Sequence, residues 1–210
     1  MNELLPYTIR PMEPGDVQAV IGIEKLSYPT PWSPSAYLYE LKHNPRSAYY
    51  VLLRPAPAQT APPVRGWRRW LNSLLGLPGE SRVIGYVGFR LQPAEAHITT
   101  IAVHPEWRGK GLGELLLLDA IERAVELQVS LVSLEVRASN QVAQNMYRKC
   151  GFRFRNTRPG YYQDGEDAWL MEVGVSGAAY QAQLREQRLA LEAQLRRPQQ
   201  DVGQVNEDTM

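Results

Sequence analysis

The chain is expected to fold as an α/β protein with a mixed central sheet and helices on both faces, and three observations predict this. From Ile98 to Val136, short β-branched apolar runs alternate with segments whose apolar residues recur at helical spacing. Arg108-Gly-Lys-Gly-Leu-Gly113 places three glycines and two cations at one strand-to-helix junction. With 210 residues and 44% apolar content, the chain can bury one good core, so one domain is the default.

Taken in order, Tyr7-Thr-Ile-Arg10 reads as a first strand, and Pro14-Gly-Asp16 opens a helix to about Lys25, since proline fits the first helical position. Pro31-Trp32-Ser33 lies in a turn-rich loop at 29–34, and 35–42 is a second helix. Residues 48–53 and 83–91 form an antiparallel pair, and Ile98-Thr-Thr-Ile-Ala-Val103 continues the sheet. Leu117, Ala120, Ile121, Ala124 and Val125 mark one face of the next helix. Leu131-Val-Ser-Leu-Glu-Val-Arg137 alternates as a strand. Ala138-Ser139-Asn140 supplies capping side chains for a helix at 141–149 that stops before Gly151. Residues 152–156 and 168–173 supply the last strands. Residues 178–197 lack Gly and Pro and are rich in helix formers, with Tyr180, Leu184, Leu191 and Leu195 near one stripe; a solvated amphipathic helix is expected. Residues 199–210 are expected to be disordered.

The glycine-rich junction reads as a pyrophosphate cradle. Glycines let the backbone turn sharply and leave N–H groups uncovered. The first N–H groups of a helix and the positive end of its dipole attract phosphate. Arg108 and Lys110 add positive charge, and a bulky side chain at Gly111 or Gly113 is expected to obstruct the approach of the cofactor. A P-loop is excluded because Lys110 is followed by Gly111 rather than Ser or Thr. A Rossmann turn is excluded because His104-Pro105-Glu106-Trp107 separates strand from glycines.

Arg108-x-x-Gly111-x-Gly113, Glu135-Val-Arg-Ala-Ser-Asn140 and Met146-Tyr147-x-x-x-Gly151-Phe152 together resemble the GNAT family of acetyl-CoA-dependent N-acetyltransferases, over roughly residues 7–173 with one interruption. More narrowly they are similar to its RimI subfamily, which acetylates the N-terminal alanine of the eighteenth small-subunit ribosomal protein. The resemblance implies the GNAT fold for residues 1–176 and acetyl-CoA as co-substrate. The pantetheine arm would lie along the backbone of Ile101, Ala102 and Val103, as an added strand would. The pyrophosphate would sit on Arg108, Gly109, Lys110, Gly111, Leu112 and Gly113, and Asn140 would hydrogen-bond the cofactor. Glu135 matches the family's proton acceptor and Tyr147 its proton donor.

These residue types suit the chemistry. An amine must be neutral to attack a thioester, a carboxylate can take its proton, and a phenol can protonate a departing thiolate. Read without the resemblance, Glu135 is a strand residue paired with a cation, Tyr147 a packed aromatic and Asn140 a helix cap. Trp32, Tyr161 and Tyr162, with Glu166-Asp167-Ala168, resemble the segments around the acceptor groove, and acidic and aromatic groups suit a cationic peptide N-terminus.

A net charge of +1 points to no nucleic-acid partner. The single Cys150 excludes an internal disulfide and fits a reducing compartment. The first residues carry no signal-peptide pattern, no run approaches a membrane span, and a cytoplasmic location is expected. His43, His97 and His104 lack partners at metal-ligand spacing, so no metal site is expected. An insert at 54–82 joins a Pro-rich linker to Gly66-Trp-Arg-Arg-Trp-Leu-Asn-Ser-Leu-Leu75. Residues 65–75 read either as a short helix against the domain, or disordered, or as a weak membrane-surface or partner contact. Residues 177–210 form a C-terminal helical extension and tail. A GNAT enzyme for small amines or lysine side chains, and a silent acetyl-CoA-binding interaction module, remain alternatives.

Overall fold

The computed structural model describes residues 5–55 and 82–196. Most of the 54–82 insert, with the helix expected at 65–75, and the tail at 199–210 lie outside those residues.

The strands are β1 (Thr8–Pro11), β2 (Ser47–Leu53), β3 (Val83–Gln92), β4 (Glu95–Val103), β5 (Leu131–Arg137), β6 (Arg153–Arg158) and β7 (Ala168–Gly174). Among the described residues they form one seven-stranded sheet in the order β1-β2-β3-β4-β5-β7-β6, in which only the β4–β5 pairing is parallel. The helices among the described residues are α1 (Val17–Ser27), α2 (Pro34–His43), α3 (Leu112–Glu126), α4 (Gln141–Lys149) and α5 (Ala178–Arg196).

Local chemistry explains the helix ends. Pro14–Asp16 forms a 3-10 turn ahead of α1, where Asp16 accepts from the Glu13 N–H and from both Arg10 terminal nitrogens. Ser33 caps α2 through the Ala36 N–H, with Pro34 at the first helical position. On one face of the sheet Val17, Val20, Ile21 and Ile23 of α1 pack with Tyr37 of α2 against Tyr49, Val51 and Tyr86. On the other, the leucine run of α3 packs with Leu134, Val136, Met171 and Val173.

β4 begins at Glu95, three residues before the expected start, because polar Glu95 and His97 hid a segment that pairs with β3 through His97↔Arg90 and Glu95↔Gln92. The expected solvated C-terminal helix is corrected more sharply. α5 buries Leu184 and Leu191 in the main core, with Tyr180 and Leu195 packed beside them. Its stripe has a partner because α3 and the end of α4 leave apolar surface there, which a single stripe in sequence cannot reveal.

One irregularity interrupts the sheet beside β5. Gly88 pairs with Thr100 but Phe89 pairs with Ile98, so Thr99 is an extra residue in β4. A bulge bends its strand and ends regular pairing. β4 pairs with β5 only through Glu95–Ile98 against Leu131–Leu134, and beyond that point the two strands separate.

Candidate active site

The gap between the diverging strands opens at the C-terminal ends of β4 and β5. His104 N–H donates to the Ile84 carbonyl, which makes Gly85↔Val103 a non-hydrogen-bonded pair and, by alternation, Val87↔Ile101 another. The backbone groups of Ile101 and Val103 therefore face the gap, whereas those of Ala102 face β3. Two of the gap-facing carbonyls already have side-chain donors: Tyr28 Oη donates to Ile101 O at 2.7 Å, and Arg108 Nε to Val103 O at 2.9 Å. The unspent groups on this edge are the N–H donors.

At the mouth of the gap, the glycines of the loop do three different things. Gly109 (φ 75°) and Gly111 (φ 80°) are left-handed, a conformation that disfavours side chains. A Cβ on Gly109 would meet nothing, so its outer side is open. A Cβ on Gly111 would lie 2.9 Å from Leu191 Cδ1 of α5, and one on Gly113 would lie 3.3 Å from Met146 Sδ of α4. At these two positions the glycines also let helices approach one another, because the space that a Cβ would need is taken by a side chain of α5 or α4. Arg108 also differs from a free phosphate-binding cation, since its Nη2 donates to Ser27 Oγ at 2.8 Å. Lys110 Nζ sits 4.7 Å from the centre of the Trp107 ring. Leu112 is buried as the first residue of α3, whose leading N–H groups are orphaned by helix geometry. Asn140 caps α4 by accepting from the Ala143 N–H, and its amide nitrogen is free of that cap.

Glu135 lies on β5, and its side chain is only 6% exposed. His97 Nε2 is 2.8 Å from one carboxylate oxygen and Arg158 Nη1 is 2.9 Å from the other. Burial pushes the carboxyl up, but the His97 hydrogen bond and the His97 and Arg158 charges outweigh it and hold Glu135 below the ordinary range. His97 Nδ1 is 2.7 Å from Ser133 Oγ, and the Ser133 hydroxyl donates to Glu95. Ser133 Oγ bridges His97 Nδ1 and Glu95, while His97 Nε2 faces Glu135. A hydrogen-bonded row thus runs from buried Glu135 to the better exposed Glu95.

Tyr147 on α4 is buried against Phe152, with ring centres 5.8 Å apart. Burial raises its hydroxyl pKa far above the usual phenol range, and Tyr28 and Tyr162 are near enough to add to the effect. Tyr162 in turn feels the charge of Glu135, and burial lifts its own pKa to about 12. Tyr28, Tyr147, Tyr162 and Glu135 consequently form one electrostatically connected group.

Two loops border this group. The loop after α1 carries Trp32, whose backbone N–H donates to Glu24 at 2.9 Å and whose ring lies 5.5 Å from that of Tyr37. The β6–β7 loop carries Tyr161 and Tyr162, and Arg137 pins it by bonding Asp164 and Glu166 while stacking on the Tyr162 ring at 4.0 Å. Thr30 Oγ1 donates to Gln163 at 3.3 Å, joining the two loops.

The sequence reading passed over Glu24, Tyr28, His97, Arg137 and Arg158. Glu24 is 2% exposed and also accepts from Tyr37, Tyr86 and Thr100. Four donors from α2, β3, β4 and the Trp32 loop are thereby tied to one buried carboxylate. For Glu24, the available signal was a charged residue on an otherwise apolar helix face. For His97, it was a polar residue immediately before an apolar strand, and spacing tests for metals discard that residue. Cys150 is buried, its thiol pushed up to about 12 by burial, so it is a poor nucleophile.

A profile of the Acetyltransferase (GNAT) family matches residues 17–152. A Bacillus subtilis protein provisionally named a [ribosomal protein bS18]-alanine N-acetyltransferase is 33% identical over 80% of this chain and 95% of its own length. The N-alpha-acetyltransferase RimI of Mycobacterium tuberculosis is 31% identical over 79% of this chain and 91% of its own. The crystal structure of the ribosomal-protein-S18-alanine N-acetyltransferase of Escherichia coli superposes with a TM-score of 0.63 at 27% identity, covering 82% of this chain and 96% of that one.

Proposed function

From the premise that the chain belongs to the acetyltransferase (GNAT) family, we propose that it acetylates the N-terminal α-amino group of a protein, with the alanine terminus of the eighteenth small-subunit ribosomal protein as its leading acceptor. The observation that carries this reading is the buried Glu135 carboxylate, held by His97 and Arg158 beneath two aromatic loops at the open end of the β4–β5 gap.

The residues fit acetyl-CoA. The N–H groups of Ile101 and Val103 face the gap, the left-handed Gly109 has open space where a Cβ would be, and α3 presents its orphan donors at the mouth. Bound there, acetyl-CoA supplies an activated acetyl thioester. The chain's own groups manage the protons. An α-amino group has a pKa of ~7.7–8.0, so most of it is protonated at neutral pH and unable to attack. Glu135, held below the usual carboxylate range, is ionised throughout that region and takes the proton that the neutral fraction of the amine sheds as the C–N bond forms. His97, Ser133 and Glu95 then offer it a route outward. Tyr147, kept protonated by burial, donates a proton to the sulfur as the C–S bond breaks. The amine loses one proton and the thiol gains one. Trp32, Tyr161 and Tyr162 border the acceptor, and acidic Asp164, Glu166 and Asp167 on the same loop favour a cationic terminus.

The test is turnover on three acceptors: an Ala-initiated peptide, the same peptide with its α-amine blocked and an internal lysine, and a small polyamine. Acetylation of the first alone is expected, located by mass spectrometry. Preference for either other acceptor would overturn the N-terminal assignment.

A further inference from the structure

The cradle loop is rich in residues that cannot hold their own conformation. Gly109 and Gly111 both sit at positive φ within five residues. Glycine reaches that region without strain but also leaves it freely, so a loop of this composition samples many arrangements unless something outside fixes it.

We propose that α5 is this external brace, and that Leu191 is a positioning residue for acetyl-CoA binding. The inference rests on the cofactor reading given above. Leu191 is 4% exposed, and its Cδ1 occupies the space directly over Gly111, 2.9 Å from where a Cβ would stand; Leu195 Cδ2 lies 4.0 Å from the same point. Gly111 is the N-cap of α3, so the leucine bears on the residue that orients the first N–H groups of that helix.

The rest of α5 is fastened to both helices that flank the gap. Gln187 Nε2 donates to the Lys149 carbonyl at 2.8 Å, and Tyr180 Oη to the Cys150 carbonyl at 2.9 Å, engaging the last carbonyls of α4. Arg188 reaches Glu122 of α3 at 3.4 Å. Tyr180 Cε2 would also lie 3.0 Å from a Cβ on Gly151, so a second left-handed glycine is fitted to the same helix. One helix thereby sets the spacing of α3 and α4 and presses on the glycine turn between β4 and α3. None of the residues assigned to proton transfer or to the acceptor belongs to it.

If α5 pre-organises the cradle, its loss lowers the fraction of molecules able to bind, and apparent affinity falls in proportion to that fraction. Coupling is reciprocal, so acetyl-CoA must stabilise α5 docking by the same factor. The experiment is calorimetric titration of acetyl-CoA into the full chain, Leu191→Ala and Leu184→Ala, with steady-state kinetics on an Ala-initiated peptide. Leu184 is an equally buried leucine of the same helix and core, but it is not among the side chains against Gly111. Leu191→Ala is expected to weaken acetyl-CoA binding by about five- to tenfold, a coupling of the usual size. The peptide KM and the turnover at saturating acetyl-CoA should stay near wild type. Leu184→Ala should bind as wild type does. Hydrogen exchange supplies a readout independent of any variant: acetyl-CoA should slow amide exchange along α5 in the unmodified protein. Equal losses in both variants, or α5 exchange indifferent to acetyl-CoA, would overturn the brace. Should Leu191→Ala fail to fold, the exchange experiment decides alone. Absence of acetyl-CoA binding by the wild-type chain would instead sink the cofactor reading itself.

Discussion

The two walls of the site are made of different material. On the proposed function, the cofactor wall is largely backbone: the gap-facing edge at Ile101 and Val103, the left-handed Gly109 and the leading N–H groups of α3. The acceptor wall is largely side chain: Glu135 clasped by His97 and Arg158, and a loop nailed down by Arg137. Backbone sites depend on where glycines and strand ends fall. Side-chain sites depend on which distant residues the sheet happens to set side by side. The first kind tolerates changes in most neighbouring side chains, whereas each member of the second carries a separate chemical task.

If that contrast is real, single changes on the acceptor wall should strike turnover and changes on the cofactor wall should strike affinity. The largest effect is expected for Glu135→Gln, which retains size but cannot accept a proton; turnover should fall by ~10²–10⁴-fold with acetyl-CoA affinity intact. Part of that rate should return at high pH, where the amine is already neutral, while Tyr147→Phe, impaired at thiolate departure, should not recover. Equal turnover of wild type and Glu135→Gln near neutral pH would remove Glu135 from the mechanism. The same carboxyl also leaves a mark on stability. Because its folded pKa is depressed, its contribution is present above the ordinary carboxylate value of ~4.3 and lost as pH falls through the folded value. Acid unfolding of Glu135→Gln should accordingly be less steep.

On the opposite wall, Gly109→Val puts a side chain into open space at positive φ, where a left-handed L-residue costs about 1–2 kcal/mol. Acetyl-CoA affinity should drop by at least about tenfold if the bulk also meets the ligand, with the peptide KM unchanged. A calorimetric affinity equal to wild type would move the pyrophosphate elsewhere. His97→Gln tests whether the hydrogen-bonded row matters beyond geometry. Turnover should fall by roughly tenfold, less than for Glu135→Gln, and the pH–rate profile should shift, since the proton has lost its route outward. An unchanged profile would reduce His97 to packing.

Smaller effects sharpen the contrast further. Arg137→Ala releases the β6–β7 loop from Asp164 and Glu166; because these pairs are solvent-screened, overall stability should change little. The peptide KM should rise a few-fold as the loop loses its anchor, with acetyl-CoA binding unaltered. The smallest effect is expected from replacing residues 55–80 with a short Gly/Ser linker, since they interrupt a strand connection distant in sequence from Glu135 and Tyr147. Loss of peptide acetylation in a folded protein lacking them would make that segment part of the acceptor wall.

The sequence by itself determined the alternation of strands and helices, the glycine turn, the capped helix behind Asn140, and the motif that singled out Glu135 and Tyr147. These are local: each is written in residues adjacent along the chain, at the period of a strand, a helix or a turn. Tertiary structure alone decided three further things. It aligned His97, Ser133, Glu135 and Arg158 across β4, β5 and β6, a matter of register that no local pattern encodes. It buried Glu24 and gave it four donors from separate elements, where sequence shows only one charge in an apolar helix. It also laid α5 across Gly111, turning a stripe expected to face water into a wall of the core. Burial is a property of what comes to lie opposite, and for residues eighty positions apart only the folded chain supplies that.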